Sequence, residues 1–169
     1  PSDGSSEPRD LTPGAADVPP FSLGGPDDYT FSPDSKEIAF ARKTDAVEAI
    51  STNSDLFLLD VTNPAAEARK ITANPAADGG PAYSPDGRYI AYRAQQRPGF
   101  EADRWQLMLY DRKSGEHKSV TASWDRSADS YIWAPDSKAV FVTAENEGRS
   151  DIFRLIMPGG EPQPIPDAG

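Results

Sequence analysis

Cysteine is absent from these 169 residues, histidine occurs once and methionine twice, and the 17 basic side chains are well outnumbered by 27 acidic ones. Without thiols there is no disulfide scaffold, no thiolate zinc site and no cysteine nucleophile, though the compartment stays open. A formal charge of −10 offers phosphate backbones no cluster of Lys and Arg, so nucleic acid is not an expected partner. No run comes near the ~18 consecutive apolar residues of a membrane helix, so no membrane partner is expected either. What the chain has in quantity is punctuation: 17 prolines and 13 glycines, beside 37% hydrophobic and 9% aromatic residues. Such a chain can bury a core but interrupts helices before they grow, which points to an all-β fold of many short strands.

Three segments align without a gap: YTFSPDSKEIAFA from Tyr29, GPAYSPDGRYIAYR from Gly80 and YIWAPDSKAVFVT from Tyr131. Their Pro-Asp pairs, Pro33-Asp34, Pro85-Asp86 and Pro135-Asp136, recur at intervals of 52 and 50 residues. A second apolar stretch follows in each unit (54–61, 104–111, 150–156), and a weaker charged one follows in two (69–72, 117–121). PRDLT at 8–12 matches that last element.

Each unit reads as four strands, A to D. Strand A ends on Phe31, Tyr83 or Trp133. The six Pro and Asp residues then have a structural role in a tight turn: proline presets φ, aspartate can bond local N–H groups, and Gly87 tolerates positive φ. Strands B (38–40, 90–92, 140–142) and C (56–59, 107–110, 152–155) are apolar on both alternating faces, as strands covered on both sides should be. Strand D is charged around one apolar residue (Leu11, Ile71, Val120), which suits a protected outer edge.

Four-stranded units of about 50 residues, buried on both faces, are blades of a β-propeller; a sandwich would not need the same turn at such intervals. The expectation is a partial β-propeller of about three four-stranded blades, 25–72, 78–121 and 128–165, plus one leading strand. Residues 1–12 would end a preceding blade, and the chain would be a piece of a larger protein with no catalytic domain in these residues. Its two end faces would then carry uncovered apolar side chains, Phe31, Ile38 and Phe40 at one and Phe141, Phe153 and Leu155 at the other, so the isolated piece is expected to self-associate.

The alternation of strands puts the short A–B and C–D turns on one face and the B–C and D–A loops on the other. The second set (43–53, 95–103 and 145–149; 73–80 and 122–129) is chemically particular, and loops on a rigid scaffold are where function concentrates. In RPGFEADRW, residues 97–105, Pro98-Gly99 forces a turn that Phe100 and Trp105 can anchor. Arg97, Glu101, Asp103 and Arg104 are candidate substrate-binding residues: a carboxylate can hold an amino group, an arginine a carboxylate. The other reading, the commoner outcome for such a crowd of charges, is an internal salt-bridge cluster. Trp124, Asp125 and Arg126 carry the same ambiguity.

No Gly-x-Ser-x-Gly elbow occurs, and His117, between Glu116 and Lys118, reads as a solvated turn residue. No catalytic residue, metal site or cofactor is expected; Asp27-Asp28 and Asp125 with Asp129 make incomplete calcium loops. These residues alone do not build an enzyme.

The Ser-Pro-Asp-Gly repeats resemble TolB-like propellers. With the D–A loop ANPAADGG and the RPGFEADRW loop, nearly the whole chain resembles the propeller of bacterial serine peptidases of the prolyl oligopeptidase family, of the dipeptidyl aminopeptidase and acylaminoacyl-peptidase type. That resemblance implies an α/β-hydrolase domain as partner in the parent chain, peptides as substrates, and a propeller that caps the active site and screens what enters. It leans to the periplasm or export. None of the family's triad matches a position here, nor does its amine-binding pair of glutamates. The alternative is a TolB-like scaffold that binds other proteins through its loop face.

Overall fold

The computed structural model describes residues 7–18, 20, 28–45 and 51–166. Twelve strands are found there: β1 (Tyr29–Phe31), β2 (Glu37–Arg42), β3 (Asp55–Asp60), β4 (Arg69–Lys70), β5 (Asp78–Tyr83), β6 (Tyr89–Ala94), β7 (Gln106–Asp111), β8 (His117–Ser119), β9 (Ser130–Trp133), β10 (Ala139–Asn146), β11 (Arg149–Ile156) and β12 (Gln163–Pro164). They pair antiparallel into three four-stranded sheets, β1-β2-β3-β4, β5-β6-β7-β8 and β9-β10-β11-β12. The fold is a partial all-β propeller, and the A-to-D order in each blade is the one expected.

The turn between A and B is built alike in each blade. Ser35, Gly87 and Ser137 take positive φ at 59°, 72° and 61°, so serine stands in twice for the glycine such a turn favours. The preceding aspartate caps it: Asp34 accepts from Lys36 N at 3.2 Å, Asp86 from Arg88 N at 3.1 Å and Asp136 from Lys138 N at 3.0 Å. The Ser32 and Ser84 hydroxyls close the loop, donating to those carboxylates and accepting from the first N–H of strand B.

Period-two alternation then decides what covers what. Ala39, Ala41, Leu56 and Leu58 of the first blade meet Tyr83, Ile90, Tyr92 and Tyr110 of the second. The second blade's other side, Ala91, Leu107 and Leu109, meets Val140, Val142, Phe153 and Leu155 of the third. Small residues receive large ones, and each large side chain buried in a seam contributes roughly 1.5–3 kcal/mol. The strand-A aromatics also bond across the seams: Tyr83 OH donates to Glu37 at 2.7 Å, Trp133 Nε1 to the Ala82 carbonyl at 3.1 Å and Tyr131 OH to that of Ala91 at 2.9 Å.

Three expectations change. Residues 8–12 form no strand among the described residues: an outer strand exists only by pairing to a strand C, and these residues pair with none of the described strands. Leu11 and Val18 instead lie over Phe40, Phe57 and Leu59, so Phe40 is buried while Phe31 stays 52% exposed. At the other end Phe153 and Leu155 are buried against the second blade. Alternation leaves Ile132, Ile152 and Ile156 exposed there instead, beside half-buried Phe141, which registers between Ile132 and Arg154.

Candidate functional site

The B–C and D–A connections share one face, but they are unequal. The third blade's B–C connection is not a long loop: β10 and β11 pair out to Asn146 and Arg149, leaving Glu147 and Gly148 with φ of 52° and 78°. Positive φ at both central positions makes a two-residue hairpin whose twist matches its strands. The second blade has the elaborate connection, 95–105.

That loop is folded by its own charges. Gly99 takes φ of 73° after Pro98 and donates its N–H to Thr52 Oγ1 at 2.9 Å, joining the first blade's loop. Asp103, nearly buried, accepts from the N–H groups of Gln96 and Arg97 at 2.9 and 2.8 Å. It also takes the Arg97 guanidinium, Nε at 2.8 Å and Nη2 at 2.6 Å. The Arg97 side chain, then these N–H groups, hold the Asp103 carboxyl well below the usual range. Gln95, buried beneath, donates through Nε2 to the carbonyls of Glu101 and Asp103, both at 2.9 Å. Phe100 is not an anchor in the core; it is 43% exposed, with Arg97 lying 4.3 Å over its ring.

The four candidate side chains therefore have different surroundings. Arg97 and Asp103 hold each other, and Arg104 donates to the carbonyls of Thr121 and Ala122 at 3.3 Å. Glu101 is exposed, and its carboxylate has no hydrogen bond or ion pair among the described residues. In the neighbouring D–A loop, Trp124 is buried edge-on against Phe153 at 4.9 Å, and Arg126 joins Asp125 at 2.8 Å and Asn146. Asp28 accepts from Gly80 N at 3.1 Å; Asp27 lies outside the described residues.

Strands β1, β5 and β9 run side by side on the inner edges of the blades. They line an open cavity of about 400 Å³ with Tyr29, Pro81, Tyr131, Ile132 and Arg93. The Arg93 guanidinium lies 5.2 Å over Trp105 and donates to the Asp129 carbonyl, which ties this inner wall to the 95–105 loop. No motif marks Arg93 in the sequence; only its place in β6 brings it here.

His117 is exposed, as expected, but it opens a strand and is not part of the turn. It pairs with Tyr110 in β8, its ring stands 4.7 Å from that of Tyr110, and its Nδ1 lies 2.8 Å from Tyr92 OH. Although the residue is exposed overall, partial desolvation of its ring beside the two tyrosines lowers its pKa, opposed by a hydrogen bond to the Ile71 backbone. Its chemistry is committed to the seam between the first two blades.

Blades of this kind define a class, the TolB-like propellers. A putative TolB from Agrobacterium tumefaciens superposes with a TM-score of 0.66 at 23% identity, covering 83% of this chain and 46% of that one. A puromycin-hydrolysing peptidase from Mycobacterium tuberculosis superposes with a TM-score of 0.61 at 22% identity, covering 83% of this chain and 23% of that one. In sequence, the chain is 32% identical over 149 residues to dipeptidyl-peptidase 5 of Porphyromonas gingivalis, 86% of this chain and 21% of that protein. No protein-family model matches the chain. The chain is homologous to part of the dipeptidyl-peptidase 5 proteins, and it shares its propeller fold with these TolB and peptidase structures. It spans about a fifth of the length of the curated relatives it matches.

Proposed function

We propose that this chain is the non-catalytic propeller segment of a serine exopeptidase, capping the active site of an α/β-hydrolase domain and screening the peptides that reach it. The carrying observation is the match to about a fifth of dipeptidyl-peptidase 5, a share that leaves room for a separate catalytic domain. The geometry supports it in two ways. The inner strands offer a mixed wall of aromatic, aliphatic and polar residues with one guanidinium, Arg93, suited to an extended peptide. The 95–105 loop is held by the Arg97–Asp103 pair while presenting at its surface the Glu101 carboxylate, which has no partner among the described residues.

A screening propeller makes activity depend on substrate length. In the full-length protein that carries this segment, Arg93→Ala should change the ratio of kcat/KM for a dipeptide anilide to that for a decapeptide by at least about threefold, roughly 0.6 kcal/mol of differential transition-state binding. An unchanged ratio refutes a screening role for this wall. A parent reading frame without a Gly-x-Ser-x-Gly domain would favour the binding-scaffold alternative.

A further inference from the structure

Asp78 opens β5 and is fully buried. Its N–H donates to the Ser54 carbonyl at 2.9 Å, as that of Ala128 does to Trp105 one blade later. The same register position thus holds a fully buried carboxylate in one blade and a fully buried alanine in the next, so the repeat itself does not require the charge.

The carboxylate is incompletely partnered. Asn74 Nδ2 donates to Oδ1 at 2.9 Å, whereas Oδ2 has no hydrogen-bond partner among the described residues. The Thr72 hydroxyl has a single proton for both carboxylates, and its oxygen lies 3.4 Å from Asp55. Asp55 is buried too, but Lys70 Nζ lies 2.6 Å from it and Thr44 Oγ1 donates at 3.0 Å. Two buried carboxylates share one lysine, leaving an unbalanced negative charge. Burial pushes the Asp78 carboxyl up to about 6, eased by Asn74 and Thr72 and reinforced by Asp55.

Asp78 lies at the wall of an open cavity of about 260 Å³ on the second blade, lined also by Tyr92, Ala94, Gln106, Met108 and Ser119. A cavity of about 150 Å³ accepts benzene, so a four-carbon chain fits here. A divalent metal would want six or more oxygen ligands, and the wall supplies one carboxylate among mainly apolar and amide groups. The charged and titratable groups facing Asp78 are Asp55 from β3, Lys70 from β4 and Tyr92 from β6, with His117 of β8 behind the Tyr92 hydroxyl.

We propose that this second-blade cavity is a binding site for a short alkyl primary ammonium, a free amine or a lysine side chain, whose charged head pairs with Asp78. It is separate from the channel wall and does not depend on the peptidase reading. The cavity also adjoins Gln95, whose side chain holds the 95–105 loop, so occupancy would stiffen that loop.

Calorimetric titration of the full chain with n-butylamine, in amine-free buffer at about pH 8, tests it. Saturable one-to-one binding is expected, at least about tenfold tighter than for n-butanol of the same size, and about tenfold weaker by about pH 5 as the carboxylate protonates. Asp78→Asn should lose at least about tenfold in affinity with its thermal transition retained; if that variant fails to fold, the pH series on the unaltered chain decides. Nα-acetyl-lysine methylamide distinguishes the sources: its binding indicates a partner's lysine, binding of butylamine alone a free amine. No saturation with n-butylamine, equal binding of n-butanol, or affinity indifferent to both pH and Asp78→Asn would overturn the proposal.

Discussion

Replacing Asp78 by asparagine should make the chain more stable at neutral pH and not at acid pH. Asp78 is fully buried, and its carboxyl is raised from 3.8 to about 6. A group whose folded pKa lies above its unfolded value is held better when protonated. Below about 3.8 it is protonated in both states and carries no charge penalty; as pH rises through about 6 the folded protein must hold the bare carboxylate, and stability is lost. The displacement corresponds to about 3 kcal/mol between those limits. Asparagine keeps the shape and cannot ionise, so its stability relative to the unaltered chain should climb by about 3 kcal/mol from pH 3.5 to pH 8.

Taking the change with pH, not the value at one pH, removes whatever the amide costs in hydrogen bonding, and the other titrating groups cancel between the two proteins. Urea unfolding at closely spaced pH values in amine-free buffer is the assay. For a chain of this length the thermal counterpart is about 6–12 °C at neutral pH relative to acid. A difference that is flat with pH, or that falls as pH rises, would show that the Asp78 charge is balanced in solution and would refute the reasoning.

In a full-length protein carrying this segment, Glu101→Ala should raise KM for short peptides with the thermal transition unchanged. Asp103→Asn should instead speed proteolytic cleavage within 95–105, because the one remaining oxygen cannot accept from both the Arg97 guanidinium and the two N–H groups; equal kinetics for Glu101→Ala would remove it from substrate binding. The isolated chain should self-associate at micromolar concentration through the face carrying Ile132, Ile152 and Ile156, which are 68%, 50% and 45% exposed. Light scattering should report a dimer that Ile152→Lys returns to monomer, and a monomeric unaltered chain would contradict this.

The blades were legible in the sequence because each signal was local and repeated three times. Ser-Pro-Asp at a fixed spacing names the turn, and apolar residues on both faces name strands covered twice. Which face of a strand is covered depends on parity, and parity cannot be read from a strand apolar on both sides. Phe153 and Leu155 therefore face the second blade and not the open end, and the register with β10 decides it. The 117–121 stretch marks the strand that His117 opens, but only its register sets the His117 ring against Tyr110. In RPGFEADRW the residues pointed both to a binding loop and to an internal cluster, and only distances show Asp103 turned inward on Arg97. Arg93 and Asp78 carried no motif at all. Asp78 did leave a trace, since aligning the units sets it against Ala128.

That trace indicates where to look in any repeat protein. Where blades agree, the residue is needed by the blade: the turn aspartates cap, and the strand-A aromatics close the seam. Where they disagree, the blade is indifferent and something else fixes the residue. Ala39 and Ala91 are small because a neighbour's side chains fill the space, whereas Phe141 at the same register is large and faces outward. The two-residue turn at Glu147-Gly148 shows that a B–C connection needs almost no length, so the eleven or so residues spent at 95–105 serve something other than joining two strands. A buried charge is the sharpest case, because its cost recurs in every folded molecule at neutral pH and an alanine one blade away shows that the fold can do without it. Asp78 and the 95–105 loop meet at Gln95, whose carbonyl accepts from the Asn74 amide that also holds Asp78 and whose side chain carries the loop. The two departures from the repeat are therefore one structure, a loop resting on a charged seam, and a ligand held beside Asp78 would be felt at the loop.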